Sequence, residues 1–300
     1  MKKVLSLIRK NYPLYVLMLP ALAATFIFAY IPMYGVQIAF KNFRSSQGIW
    51  GSAWVGLEHF RRFVTNTGFW RMISNTLSIT GYSLAVFPLT VIMALLINEI
   101  QNTRFKKTVQ MISYAPHFLS TVVVCGMVLL ILGRANGIVN NFLALLGIER
   151  IDFMANASMF PSIYVWSGVW QNIGWGTIIY LAALSGVPPE LVEAAQIDGA
   201  TRLQIIYHIN IPTIMPTVII LFLMSTGSLL SLGYEKILLL QNDLNREKSR
   251  VISTYVYDIG IVNGQLSYST AINFFNNVVN LLVLTTVNAI AKRVSEVSLW

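Results

Sequence analysis

Six long apolar runs constrain this chain more than anything else in it. A helix rises about 1.5 Å per residue, so about 20 consecutive apolar residues cross the hydrocarbon of a bilayer. Such runs extend from about Leu14 to Phe40, Asn75 to Asn98, Val109 to Leu132, Phe160 to Leu184, Pro212 to Gly233, and Ser269 to Ala291. The pattern predicts an all-α integral membrane protein with six transmembrane helices. Composition agrees: 55% of the side chains are hydrophobic and only 11% charged, against about 25% charged in a soluble chain. Disorder is excluded by the apolar content. A disulfide scaffold is excluded by the single cysteine, Cys125. The net charge of +9 could suggest nucleic acid, but the basic residues are scattered between apolar stretches. Basic membrane loops explain it more simply.

Lys2, Lys3, Arg9 and Lys10 precede the first run, and Ala21-Leu22-Ala23 mimics a signal-peptide cleavage site. The apolar run continues to Phe40, so a cut there would fall inside the span, and a retained anchor is expected. The closing Ser298-Leu299-Trp300 holds no lipidation cysteine. Lys and Arg divide almost evenly between the two sides, so the count alone does not orient the chain. The shorter inner segments, the basic start, Arg104, Lys106 and Lys107 in the second inner loop, and Lys292 and Arg293 after the last span place both termini in the cytoplasm. The expected organisation is a segment 1–70 (cytoplasmic start, first helix, first outer loop), a core 71–291 and a cytoplasmic tail 292–300. The outer loops Lys41 to Arg71, Gly133 to Met159 and Glu235 to Tyr268 are long enough to carry structure or contacts.

The segment 185–212, between the fourth and fifth runs, differs from every other loop. Pro189 suits a first helical turn, and Glu190 and Glu193 favour its positive end. Gly199 allows a left-handed cap. A second helix is expected from about Thr201 until Pro212 interrupts it. Leu191, Ala194, Ala195 and Ile197 give the first helix a small apolar surface flanked by Glu193 and Asp198. Such a knob could simply lie in the membrane interface, or it could enter a cleft on another protein.

The spacing Glu193-Ala194-Ala195, three residues, Gly199, nine residues, then Ile209-x-Ile211-Pro212 resembles the EAA loop of ABC-importer permeases. The usual ending is Leu-Pro, so Ile-Pro is a conservative departure. Tyr30-Ile-Pro-Met-Tyr-Gly-Val-Gln-Ile-Ala-Phe-Lys-Asn-Phe43, Trp54-Val-Gly-Leu-Glu-His-Phe60, Gly233-Tyr-Glu-Lys-Ile-Leu-Leu-Leu-Gln-Asn242, Val251-Ile-Ser-Thr-Tyr-Val-Tyr-Asp-Ile-Gly260 and the ending from Val287 resemble LplB-type permeases of the maltose-type carbohydrate importers. The resemblance covers nearly the whole chain. It implies a type I ABC importer permease in the bacterial cytoplasmic membrane, moving oligosaccharides from polysaccharide breakdown. It further implies a second related permease, two cytoplasmic ATPase subunits that bind ATP and Mg, and an extracellular sugar-binding lipoprotein. On the matching positions it assigns ATPase coupling to Glu193, Ala194, Ala195, Asp198, Gly199, Ile209 and Pro212.

The chemistry absent from the chain fits that division of labour. No Gly-x-x-x-x-Gly-Lys-Ser/Thr phosphate loop occurs, so ATP hydrolysis is expected of partners and not of this chain. His59, His117 and His208 lie on different segments and suggest no metal site. Cys125 reads as a packing residue.

Polar side chains at membrane depth face protein or a water-filled path. Asn273, Asn276, Asn277 and Asn280 share a helical face. They can hydrogen-bond between helices or touch substrate, and Asn276 and Asn280 are the substrate-path candidates. Trp166, Trp170, Gln171 and Asn172 offer a ring for the apolar face of a sugar and amides for its hydroxyl edge. Packing or interfacial anchoring would serve the tryptophans equally. The resemblance favours Trp170 to Asn172, because that region borders the midplane sugar site in maltose-type permeases. Ser225, Ser228, Ser231 and Tyr234 can permit close helix packing or line a path, with Ser228 and Ser231 the candidates. Tyr114 and His117, beside Pro116, are weaker ones. An ion-coupled secondary sugar transporter is the alternative function; it would need acids within the spans and inverted repeats, and neither stands out.

Overall fold

A computed structural model describes residues 10–295 and 297–299. Lys2, Lys3, Arg9 and the closing Trp300 lie outside the described residues. Among the described residues the regular structure is helical apart from one two-residue β ladder. The described residues divide into two compact units, 10–66 with 256–275, and 67–255 with 276–295 and 297–299.

The first unit opens with α1 (Tyr12–Phe40), whose apolar side chains are exposed as far as Tyr34, after which Ala39 is buried. The helix passes through Pro32 without breaking. The turn before it, Phe26–Tyr30, widens so that the Ile31 N–H donates to the Phe26 carbonyl, five residues back. Proline lacks an N–H and its ring crowds the carbonyl four residues earlier, and a widened turn relieves both. The first outer loop carries a small hairpin, β1 (Lys41–Asn42) antiparallel to β2 (Ala53–Trp54), then α2 (Glu58–Val64). Lys41 Nζ donates to the Ile49 carbonyl at 2.8 Å and lies 6.0 Å from the Trp50 and Trp54 rings. Phe40 packs against Trp54, Phe60 and Phe274 at 5.7, 5.2 and 5.8 Å between ring centres. Ring contacts therefore tie the loop to the end of α1, although Trp50 and Trp54 remain largely exposed.

The second unit holds α3 (Phe69–Asn98), α4 (Thr103–Phe118), α5 (Thr121–Leu132), α6 (Ile138–Leu145), α7 (Ala157–Leu184), α8 (Pro189–Ile197), α9 (Arg202–Thr226), α10 (Tyr234–Leu240) and α11 (Arg246–Ser249). Next come α12 (Ile252–Val262) and α13 (Leu266–Ser295), which contribute to both units. Two expectations need correction. The third apolar run is not a straight span: α4 and α5 meet at 102°. Pro116 ends the first helix, and Ser120, extended at φ −64 and ψ 153, caps the second by accepting from Val123 N–H. Nor does Pro212 interrupt the second loop helix. That helix is α9, continuous into the fifth span, because the widened turn Ile206–Asn210 lets the Ile211 N–H reach the Ile206 carbonyl. Both widened turns precede an Ile-Pro pair.

Cys125 is buried with Ile79, Phe160, Val165 and Ile237 and does pack as a small core residue. Where α7 crosses α4, a Cβ at Gly174 would overlap the Ser113 carbonyl, so only glycine permits this approach.

Candidate functional site

A polar cavity of about 510 Å³ opens between α3, α7 and the segment joining α9 to α10. Thr80, Ser83 and Thr90 line it from α3, Gln171 and Asn172 from α7, and Ser225, Ser228, Ser231 and Lys236 from the remaining wall. Its floor is tied together by hydrogen bonds. Thr80 Oγ1 donates to the Leu229 carbonyl at 2.7 Å. Asn280 accepts from the Leu230 N–H at 2.9 Å and donates to Ser231 Oγ at 2.8 Å. Gln171 Nε2 donates to the Leu119 carbonyl at 3.0 Å. The Asn172 side chain donates to the Gly168 carbonyl and meets His117 Nδ1 at 3.0 Å, while the His117 ring stacks on Trp175 at 4.5 Å. Lys236 Nζ donates to the Tyr164 carbonyl at 2.9 Å and sits 4.8 Å from the centre of that ring. Lys236 lies just outside the spans, and burial pushes its ammonium pKa down to about 8.

The substrate-path candidates thus separate into groups. Gln171, Asn172, Ser228 and Ser231 line one cavity. Trp166 and Trp170 border a different, apolar one of about 620 Å³ with Met127, Ile131 and Phe153, and Trp166 Nε1 donates to Tyr82 Oη at 2.7 Å. Asn280 is buried behind the serine turn, with both ends of its amide engaged by protein. Asn276 is also buried, and its Oδ1 has no partner. Asn273 and Asn277 are exposed. Tyr114 is half-buried near the α4 end. Sequence reasoning missed Thr80, Ser83, Thr90 and Lys236. The signal for Lys236 was a lysine directly before the apolar Ile237-Leu238-Leu239-Leu240, where a solvated loop would not need those leucines.

The second place is the bent loop. α8 leaves α7 at 80°. Gly199 takes φ +79, and Thr201 with Gln204 forms a reciprocal capping box that starts α9. Glu193, Ala194, Asp198, Gly199 and Pro212 are exposed, Ala195 and Ile209 half-buried. Ile197 stands 86% exposed and Leu203 77% exposed. The base is firm: Leu184, Leu95 and Ile214 bury together with Val187, Ile206 and Ile211 against them. Asn210 Nδ2 reaches Glu99 Oε1 at 3.5 Å beside a polar cleft that Gln196 and Arg202 also line. The loop thus presents exposed Ile197 and Leu203 on a firmly packed base.

The family of binding-protein-dependent transport system inner membrane components matches residues 48–296, and the chain belongs to it. The chain is 40% identical over 297 residues to the polygalacturonan/rhamnogalacturonan transport system permease protein YteP of Bacillus subtilis (strain 168), covering 99% of this chain and 92% of YteP. It is 38% identical to protein LplB of the same organism, covering 99% of this chain and 93% of LplB. A crystal structure of a bacterial ABC transporter involved in the import of the acidic polysaccharide alginate contains a chain of the same fold, with TM-score 0.89 at 37% identity over 98% of this chain and 99% of that one. The protein is a multi-pass inner-membrane permease of an ABC importer with the type I fold, not an ion-coupled carrier.

Proposed function

We propose that this permease carries oligosaccharides released from an acidic polysaccharide into the cell, driven by ATP that two cytoplasmic partner subunits hydrolyse with Mg. A binding protein delivers the sugar from outside, and a second, related permease completes the pathway. Both termini face the cytoplasm. The observation that carries this reading is the cavity between α3, α7 and the serine turn. Its hydroxyls and amides, braced by protein on one side, keep spare donor and acceptor capacity that suits the alternating donors and acceptors of a sugar. Uronate-bearing substrates are supported by what YteP and the alginate importer are named for.

In this reading the exposed face of α8 seats in a groove of an ATPase subunit. Glu193 pairs there with a basic residue and Gly199 shapes the bend. Movement of α8 passes through the buried contact of Leu184 with Ile214 and Leu95 into α7, α9 and α3. Those three helices carry the cavity walls, so closure of the ATPases alters the cavity directly. Sugar binds the outward-open cavity more tightly than the inward-open one, and that difference sets the direction of transport.

The test is Glu193→Lys in the assembled importer. ATPase co-purification and uptake of an oligogalacturonide should both fall at least tenfold, with the permease still folded in the membrane. Uptake and co-purification at the unsubstituted level would refute the docking role.

A further inference from the structure

The polar cavity contains one charged side chain among its described lining residues, and that residue is the key to what the cavity selects. Lys236 is half-buried on a seven-residue helix that sends Ile237 and Leu240 into the core. The ammonium has only one hydrogen-bond acceptor, the Tyr164 carbonyl, and rests against that tyrosine's ring. No carboxylate forms an ion pair with it among the described residues. Gly168 leaves the ammonium its space: a Cβ there would stand 3.2 Å from Nζ.

An ammonium carries three donors, and this one uses one of them on protein. A buried cation without an anion is costly, and proteins normally pair it. Here the unused donors belong to a residue that lines a water-accessible, sugar-sized space, so the missing anion can arrive with the cargo. We propose that Lys236 is the residue that recognises the carboxylate of a uronate unit in the translocation cavity, making it the determinant that favours acidic over neutral oligosaccharides. This inference rests on the import reading above and deepens it.

The groups around Lys236 leave the carboxylate role to the substrate. Cys125 on α5, with its thiol 3.9 Å from the Lys236 backbone carbonyl, and Tyr164 on α7 are neutral partners. Tyr82 on α3 borders the same core and accepts from Trp166. Arg250, beside the core residue Val251, lies over the Tyr255 ring. Glu235 precedes Lys236 on its own helix but is exposed. Because burial lowers the free ammonium to about 8, the charge is present below that pH and is lost as pH rises through it. A bound carboxylate favours the charged form and pulls the value back up.

The experiment uses the complete importer with its binding protein in proteoliposomes, taking up trigalacturonate or its fully methyl-esterified form. The readout is the ratio of acid to ester uptake. In the unsubstituted importer the acid should lead. Lys236→Gln should lower the ratio about tenfold, and Lys236→Arg should restore most of it. Independently, in the unsubstituted protein the ratio should fall as the external pH is raised from 7 to 9. A ratio unchanged in Lys236→Gln, or one flat across that pH range, overturns the proposal. Equal uptake of acid and ester by the unsubstituted importer also overturns it but leaves oligosaccharide import standing. Uptake of neither would instead refute the import reading itself.

Discussion

Asn280 lies on the last span among asparagines that invite a substrate role, yet both ends of its amide are engaged by protein. Replacing it with alanine removes the acceptor of the Leu230 N–H and the donor to Ser231 Oγ. Leu230 is buried, so its N–H is left without a partner. That orphaned donor costs about 1–3 kcal/mol. The lost contact to Ser231 adds about 0.6–1.7 kcal/mol, the range measured for polar side-chain contacts between membrane helices. Together Asn280→Ala should destabilise the permease by about 2–5 kcal/mol. Asn277→Ala is the control: it is exposed one turn away on the same helix, and its cost should stay within about 0.5 kcal/mol. Unfolding of the purified permease by detergent titration in mixed micelles measures both. Uptake should fall as well, because Ser231 on the cavity wall loses its brace. The bracing argument is refuted if Asn280→Ala unfolds with the unsubstituted protein while the KM for sugar rises several-fold. That pattern would mean the amide contacts cargo and the two hydrogen bonds carry no stability.

Gly199→Ala meets no atom, but at φ +79 it forces an L side chain into the left-handed region at about 1–2 kcal/mol. ATPase co-purification should weaken and recover in Gly199→Asn, which tolerates that conformation; equal co-purification by all three would show that the bend does not depend on the glycine. Gly174→Ala should lower the yield of folded permease by overpacking the α4–α7 crossing, at a cost of about 1–3 kcal/mol, whereas Gly126→Ala, with open space around its would-be Cβ, should not. Equal thermal stability of the two variants in detergent would show that the crossing relaxes around the added methyl.

The spans were legible because lipid imposes a single requirement, a long apolar helix, that composition reports directly. Span four, Phe160 to Leu184, ends at the residue where α7 ends. The loop was legible because Pro189, Gly199 and Thr201 act through local backbone rules: the proline starts a helix, the glycine turns left-handed, the threonine caps. The break in the third run was not legible from hydropathy, since α4 and α5 are joined by residues no more polar than a span tolerates. It depends on Pro116 and Ser120 acting together. Pro212 misled for the opposite reason. Its local rule says stop, and the widened turn Ile206–Asn210 just before it absorbs the defect. Tryptophans were the least legible of all. A ring one turn from another can face cargo or a greasy groove, and only the position of Tyr82 shows which way Trp166 leans.

In the proposed import reading, the cavity and the bent loop are connected by the helices that run between them. Seventeen residues separate Asn172 from Pro189, about 25 Å along and just beyond α7. The base of that lever is clamped by Leu184 against Ile214 and Leu95, which belong to α9 and α3. A tilt of about 10° over such a length displaces the far end by about 4 Å. That exceeds the reach of any hydrogen bond from Gln171 or Asn172 to a sugar hydroxyl. Small movement at an exposed knob is therefore enough to make or break every polar contact on one cavity wall. The widened turn Ile206–Asn210 lies at the foot of α9, where the second lever begins. A turn already departing from regular hydrogen bonding is the cheapest place in that helix to change its angle. In that reading the bent loop, the widened turn and much of the cavity wall lie between Gln171 and Lys236, while α3 supplies the facing wall through Thr80, Ser83 and Thr90 and part of the clamp through Leu95.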